Sequence, residues 1–357
     1  MSFLDSLLMT MTHLFSTSYA RLAGPLLLAV LMSSSPALAQ SLPAGCEMGE
    51  LATVPLTFTD DLRPVMKASL NGFPISAVVN IGSSQPIVLN KKTLDRLDIK
   101  VRHVTSTQFQ ESRSGTTDFT PQGEIIPSGQ FIVKEGVTTF VDDASFGRTK
   151  LTDSWYLVED FMDDTFGARV GAGNLLLTDL EVALDEGYLK HFNPQGCFRE
   201  HLAYWDPDAV AVPIRVDLWK RDPRPVFSVL INGKEVWALL STATPHSYLP
   251  ASAAERLGLT PAVSGATREE PLPGHGQDKP VWSVPVGQMS IGGLEVKDFN
   301  VRVMDLPYSG EILILGTDFL HRHRTYIAMS QRQVYFSAVK NPILKRGSVE
   351  VISQPVK

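Results

Sequence analysis

Two short polar stretches, each following an apolar run, are the residues whose types and spacing could carry a function. The first is Asn80 to Ser83 and the second is Ser241 to Thr244. Their amide and hydroxyl side chains can donate and accept hydrogen bonds. Neither group is a general base near neutral pH, because neither has a proton-accepting form with a suitable pKa. The stretches therefore favour binding over acid–base catalysis.

Both stretches belong to an internal duplication. Arg63 to Val65 matches Arg224 to Val226 at an offset of about 161 residues, and Asn71-Gly72 matches Asn232-Gly233 at the same offset. Self-similarity at a fixed offset indicates a repeated structural unit. We therefore expect each copy to fold as a similar lobe.

Each copy predicts the same series of short elements. Asn-Gly between apolar runs is typical of a tight hairpin, since both residues tolerate positive φ. A short helix is expected at residues 91–97 and again at 251–257, and the later segments 131–140 and 284–304 are rich in β-branched residues. The pattern predicts an all-β fold with minor helix.

The duplication also sets the expected domain boundaries. We predict an N-terminal lobe at residues 53–192 and a C-terminal lobe at 212–340. Between them, residues 193–211 are rich in proline and aspartate and are expected to form a linker.

In their context the two polar stretches resemble the active-site loops of retropepsin-like and pepsin-like aspartic proteases. In those families each lobe has two apolar residues before Asp-Thr/Ser-Gly-Ala/Ser, and later an apolar-apolar-Gly strand with a short helix. The first motif corresponds here to Val78 to Ser84 and to Leu239 to Thr244. The later motif is clear at Leu313 to Leu320 and weaker at Arg169 to Leu176, where Arg169 interrupts the apolar strand. The resemblance implies two aspartic-protease-like β-barrel lobes with a cleft between them.

The same resemblance implies that both catalytic aspartates are missing. Aspartic proteases use two carboxylates about 3 Å apart that share one proton. Asn80 and Ser241 hold these positions. The hydroxyl that crosses to the other loop is kept in Thr242 but lost in Ile81, and Ala243 replaces a glycine where we expect positive φ. The resemblance thus predicts a pseudoprotease.

We expect the cleft of such a protein to bind an extended peptide or protein segment by strand addition. The predicted peptide-binding residues are Asn80, Ile81, Gly82, Ser83, Ser241, Thr242, Ala243 and Thr244. The covering flap is expected at Gly274, His275 and Gly276 in the second copy and at Ser112 to Gly115 in the first. No metal ion or cofactor is expected.

Two other functions stay open. A working endopeptidase would need a carboxylate from elsewhere in the chain to reach the cleft, and Asp163-Asp164 are candidates. A structural partner in an envelope complex would instead carry a large apolar surface patch away from the cleft.

The N-terminus predicts export. Leu22 to Met32 is an apolar run after Arg21, and Ala37 to Ala39 forms a signal-peptidase site, so residues 1–39 are expected to be a signal peptide. The run is too short to span a bilayer of ~30 Å, and no later segment predicts a membrane span. We therefore expect a periplasmic or secreted protein.

The cysteines and charges add three expectations. Cys46 and Cys197 would form a disulfide in an oxidising compartment, with two free thiols or a lipidated Cys46 as the alternatives. A net charge of −6 without a basic stripe argues against a nucleic-acid partner. The basic run His321 to Arg324 is expected to be a solvated surface patch.

Overall fold

The computed structural model describes residues 45–110, 130–161, 163–217, 222–270, 280–305 and 311–340. The predicted signal peptide at residues 1–39 lies outside this described part. The first copy contains β1 (Glu50–Pro55), β2 (Thr57–Phe58), β3 (Pro64–Leu70), β4 (Phe73–Asn80), β5 (Ile87–Asn90), α1 (Lys91–Arg96), β6 (Val101–Gln110), β7 (Gln130–Phe146), β8 (Thr149–Glu159), β9 (Ala168–Gly171), α2 (Ala172–Leu175), β10 (Asp179–Ala183) and β11 (Tyr188–Phe192).

The second copy follows a similar order, with two more strands among the residues that the structure describes. It contains β12 (Val210–Pro213), β13 (Arg215–Asp217), β14 (Asp222–Ile231), β15 (Lys234–Leu240), β16 (Tyr248–Pro250), α3 (Ala251–Leu257), β17 (Thr267–Glu269), β18 (Val281–Val286), β19 (Met289–Ile291), β20 (Leu294–Val296), β21 (Phe299–Met304), β22 (Leu313–Leu315), α4 (Thr317–Leu320), β23 (His323–Ala328) and β24 (Gln333–Ala338). The prediction of an all-β fold with minor helix is confirmed.

The Asn-Gly pairs form the hairpin turns that the sequence predicts. Asn71 and Gly72 have φ of 48° and 82° between β3 and β4, and Asn232 and Gly233 have φ of 50° and 75° between β14 and β15. Positive φ at both central residues matches the twist of the flanking strands. The turns therefore set the register of the two hairpins that lead to the polar stretches.

The strands that flank each polar stretch are paired in the same order and with the same directions in both copies. In the first copy β9 lies between β4, with which it is parallel, and β5, with which it is antiparallel. In the second copy β22 lies in the same way between β15 and β16. Further out, β5 pairs in parallel with β8, and β16 with β21. The duplication is thus visible in the strand connections as well as in the sequence.

A six-stranded sheet joins the two copies. Its order is β1, β11, β10, β23, β24 and β12, so β10 of the first copy pairs with β23 of the second. Glu181 lies opposite Tyr326 at this junction. One face of the sheet packs into a core shared by both copies, which includes Leu180 and Ile327. The two copies therefore share one sheet and one hydrophobic core.

The segment predicted to be a linker covers the other face of this sheet. Leu202 and Ala203 are buried there beside Tyr326. The Trp205 indole donates a hydrogen bond to Ser337 Oγ at 2.8 Å. Cys197 of this segment forms a disulfide with Cys46, which fastens the start of the described chain to it. The segment is therefore packed against the strands that it joins.

Beneath this cover lies a buried ion pair. The Glu181 carboxylate is fully buried and accepts hydrogen bonds from Arg324 Nε at 2.6 Å and Tyr204 OH at 2.7 Å. A buried carboxylate is tolerated only when it is paired in this way. Burial and the nearby Glu181 charge also raise the pKa of Tyr188 well above its usual value. The buried Glu181 carboxylate at the junction between the copies therefore has hydrogen-bond partners within the protein.

The predicted solvated patch at His321 to Arg324 is wrong. His321 and His323 are buried, because His321 follows α4 at its C-terminus and His323 begins β23. The His323 ring stacks on Phe319 with 4.2 Å between ring centres, and its Nδ1 lies 2.9 Å from the Phe319 carbonyl oxygen. Burial lowers the pKa of His323 to about 4. Both histidines belong to the packed interior.

In the part of the chain that the structure describes, none of the helices has the length and apolar character needed to cross a membrane.

Candidate functional site

The two polar stretches meet where the two copies contact each other. We call this region, formed by residues 80–83 and 241–244, the seam. Each stretch follows the strand that pairs in parallel with the later apolar strand, so Asn80 lies opposite Gly171, and Leu240, just before Ser241, lies opposite Leu315. Main-chain hydrogen bonds repeat on both sides, from Ala172 N to Ser83 O and from Thr317 N to Thr244 O, each 2.8 Å. The sequence folds the two loops alike because the strands that frame them are alike.

Thr242 fixes the loops to each other. Its hydroxyl donates to Val79 O at 2.7 Å and accepts from Ile81 N at 3.1 Å, both in the other loop. Thr242 is fully buried and Ile81 is 1% exposed. The reciprocal bond cannot form from Ile81, because its side chain has no polar atom. The crossing that the sequence predicts for Thr242 is therefore present from one side of the seam.

Asn80 and Ser241 both lie against Gly82. The Asn80 carboxamide oxygen accepts from Gly82 N at 3.0 Å. A β-carbon on Gly82 would lie 2.8 Å from Ser241 Oγ and 3.1 Å from Asn80 Oδ1. Such short contacts exclude a side chain at this position, so glycine is needed for the close approach of the two loops. The structure thus brings together the two residues that the resemblance placed at the dyad positions.

Ala243 does not have the backbone conformation that the sequence suggested. Its φ is not in the positive range, unlike the expectation based on the glycine that it replaces. Its methyl group instead packs against a small apolar cluster of the first copy, formed by Val65, Val78 and Phe166 with Phe161 at its edge. The extra β-carbon therefore adds an apolar contact across the seam.

The carboxylate that the sequence suggested could reach the seam is engaged elsewhere. Asp163 accepts from Arg63 Nη2 at 3.0 Å, and the Asp164 carbonyl oxygen accepts from Arg96. Among the residues that the structure describes, no carboxylate is hydrogen-bonded to Asn80 or Ser241. Asp163 is therefore paired with Arg63 and is not hydrogen-bonded to either dyad position.

A repeated Asp-x-Arg pair flanks the seam and was missed in the sequence. Arg63 donates from Nε to Asp61 at 2.9 Å, and Arg224 donates from Nε to Asp222 at 2.8 Å. Arg224 also reaches across the seam to the Gly82 carbonyl oxygen at 3.2 Å. The signal was present, since each pair directly precedes a matching Pro-Val of the duplication. Each arginine is thus held by a carboxylate of its own copy.

The acidic groups beside the seam differ in their electrostatics. Burial raises the pKa of Asp61, but hydrogen bonds and charge from Arg63, with the Thr59 hydroxyl, outweigh it and hold the pKa below its usual value. For Asp163 burial is likewise outweighed by Thr165 and Arg63. Asp318 differs, because burial raises its pKa despite its bonds to Ser247. The first two stay ionised and paired, so neither is suited to proton exchange with a substrate.

The predicted flap residues Gly274 to Gly276 and Ser112 to Gly115 lie outside the described residues. The strands that flank them are described. β6 pairs with β7 and β17 pairs with β18, each antiparallel, on either side of those segments. The flap assignment stays a prediction.

The strands and helix that frame the second loop are similar to those of a known family. Residues 227–319 match a family model described as aspartyl protease. The second copy is similar to aspartyl proteases over this stretch. The matched stretch begins in β14, includes Ser241 to Thr244 and ends in α4. Together with the mostly β sheets it supports the aspartic-protease-like, retropepsin-like resemblance drawn from the motifs. A comparison with curated proteins finds no match.

The seam holds Asn80 and Ser241 at the positions where the resemblance implies carboxylates. It presents an amide, hydroxyls and loop backbone groups, which form hydrogen bonds but do not activate water near neutral pH. Within the described ranges, no cluster of three or more His, Cys, Asp or Glu side chains could hold a metal ion.

Proposed function

We propose that this protein is an exported, catalytically inactive aspartic-protease-like protein that binds extended peptide or protein segments at the seam between its two lobes. The observation that carries the proposal is that the hydrogen bonds between the two loops are present while both dyad positions lack a carboxylate. Thr242 still ties the loops together, while Asn80 and Ser241 stand where the resemblance implies carboxylates.

The lost dyad argues against peptide hydrolysis. A carboxylate pair works because one member accepts a proton while the other donates one. Asn80 and Ser241 cannot share a proton in this way, and the carboxylate of Asp163 is held by Arg63. The alternative of an endopeptidase with an atypical dyad has no support among the described residues.

The kept geometry supports binding of an extended chain. The loops are fixed by buried hydrogen bonds, so a ligand would not have to order them at an entropic cost. Strand addition needs exposed main-chain groups and pockets for alternate side chains. Export, and with it a periplasmic or secreted ligand, rests on the signal-peptide pattern of residues 1–39.

A peptide-library experiment tests the proposal. The purified protein is incubated with a diverse library, and retained peptides are identified by mass spectrometry. Ser83→Trp should reduce retention, because it places a large ring on a half-buried position of the first loop. The matched variant Ser290→Trp, on β19 and also half-buried, should leave it unchanged. Equal retention by both variants, or none by the unmodified protein, would contradict binding at the seam.

A second candidate, a structural partner in a complex, is favoured by one surface feature. Phe140 and Trp155 are exposed on neighbouring strands with 5.4 Å between ring centres, and Leu157 is exposed beside them. If this patch carries the function, Trp155→Ala should abolish complex formation in pull-downs from the native host while leaving peptide retention intact. Loss of peptide retention in this variant would instead place the ligand away from the seam.

A further inference from the structure

Arg169 lies on the strand beside the first polar loop. β4 and β9 are parallel, with Val78 opposite Arg169 and Asn80 opposite Gly171. Because alternate residues of a strand share a face, the side chains of Arg169, Val78 and Asn80 project from the same face. Val78 belongs to the apolar cluster against which Ala243 packs from the other lobe. Arg169 is therefore a charged side chain at the seam.

Its guanidinium group is only partly engaged. Nη2 donates to Glu159 at 2.7 Å, and the guanidinium carbon lies 5.2 Å from the centre of the Phe161 ring. Nε is buried and has no hydrogen-bond partner among the described residues. Glu159 is 46% exposed, so solvent competes for its carboxylate. One carboxylate that accepted from both Nε and Nη2 would complete the paired geometry that guanidinium groups favour.

The other two arginines near the seam are bound more fully. Arg63 has two carboxylate partners, Asp61 and Asp163. Arg224 donates to both oxygens of Asp222 and to the Gly82 carbonyl oxygen. Of the three, Arg169 is the one with a single nitrogen bound to a carboxylate, whereas Arg63 and Arg224 each use two.

The matching position of the second copy shows that the fold does not need this charge. Ile314 pairs with Leu239 on β22 as Arg169 pairs with Val78 on β9. Ile314 packs against Tyr248, Val281 and Met304. An apolar residue thus fills the equivalent place, so the two matching positions differ in chemistry, with a cation at Arg169 and an apolar side chain at Ile314.

We propose that Arg169 binds a carboxylate of the peptide held at the seam, through Nε and Nη2, in place of Glu159. The group is either an acidic side chain or the C-terminal carboxylate. The inference rests on the proposed peptide-binding function and narrows it to anionic ligands. It adds no chemical step, because the carboxylate is bound and not altered.

Matched peptides test this inference. For each retained sequence, titrations by fluorescence anisotropy compare a Glu peptide with its Gln counterpart, and a free C-terminus with an amide. Arg169→Gln should weaken binding of the carboxylate form about tenfold and leave the neutral form unchanged. Arg169→Lys should bind the carboxylate form with intermediate affinity, since lysine keeps the positive charge but lacks the two parallel N–H donors of the guanidinium group. The Glu/Gln pair and the acid/amide pair identify which carboxylate is bound.

Glu159→Gln supplies an independent variant. It removes the competing carboxylate from a half-exposed position and should strengthen binding of the carboxylate form. Glu311→Gln is its control, because Glu311 forms an exposed ion pair with Arg256. Circular dichroism and thermal melting show whether Arg169→Gln is folded. If it is unfolded, the affinity of Glu159→Gln for the carboxylate peptide tests the inference instead.

The outcomes separate this inference from the function beneath it. If carboxylate and neutral peptides bind equally and Glu159→Gln has no effect, the role of Arg169 is wrong and peptide binding stands. If the unmodified protein binds no peptide, the proposed function fails and this inference fails with it.

Discussion

Replacing Thr242 by valine tests whether the crossing hydrogen bonds hold the two lobes together. Valine has nearly the same shape but no hydroxyl, so packing is largely kept. The change leaves Ile81 N and Val79 O without their partner at a site where Ile81 and Thr242 are both buried. Each unpaired buried polar group costs about 1–3 kcal/mol, so the loss of both bonds in Thr242→Val should lower the free energy of unfolding by about 2–6 kcal/mol.

Thr244→Val is the control. Its hydroxyl lies 3.5 Å from Ser241 O within the same loop and is half-buried, so its loss should cost less than about 1 kcal/mol. Urea unfolding followed by tryptophan fluorescence gives both values, with the slope checked for a change in cooperativity. Thr242→Val should also weaken peptide retention, because the seam is no longer fixed. A change within about 0.5 kcal/mol of the unmodified protein, or equal effects of the two variants, would refute the reasoning.

Two further predictions concern stability. The folded-state pKa of His323, about 4, lies below its unfolded value of about 6.5. The neutral ring therefore contributes about 3 kcal/mol of stability, which is fully present above about pH 6.5. This contribution is lost as the pH falls from about 6.5 through about 4. His323→Phe should flatten the loss of unfolding free energy between these pH values, and an unchanged profile would show that His323 does not cause it. The disulfide between Cys46 and Cys197 closes a sequence separation of 151 residues, so replacing both cysteines by serine should cost about 3–5 kcal/mol. Thermal melting of the unmodified protein with reductant should match the variant, and a variant as stable as the oxidised protein would contradict this.

The repeated hairpins were open to prediction from sequence because they depend on local chemistry, and the crossing hydroxyl was open to prediction because the family resemblance implies it. The Asn-Gly turns need positive φ, which these two residues tolerate. Thr242 could be assigned a crossing bond because the resemblance implies one for the hydroxyl that follows a dyad position. The outcome for Cys46 and Cys197 follows the same logic, since two cysteines offer one internal pairing.

The remainder depends on packing between distant parts of the chain. His321 and His323 were expected at the surface, but α4 and β23 bury them, and His321 Nε2 lies 3.0 Å from Leu62 O of the other copy. Ala243 was expected to strain the loop, yet it packs across the seam. Neither contact has a signal in the local sequence. The predicted lobe boundaries stay predictions, with β1 beginning at Glu50 and β12 at Val210.

The most direct test of the central claim is a cleavage assay. The unmodified protein and Asn80→Asp/Ser241→Asp are incubated with the peptide library from acid to neutral pH, with and without an aspartic-protease inhibitor, and products are identified by mass spectrometry. We predict that the unmodified protein retains peptides and cuts none. The double variant supplies the missing carboxylates and serves as a comparison for any gained activity. Inhibitor-sensitive cleavage by the unmodified protein would contradict the account, because a working dyad would then exist at the seam.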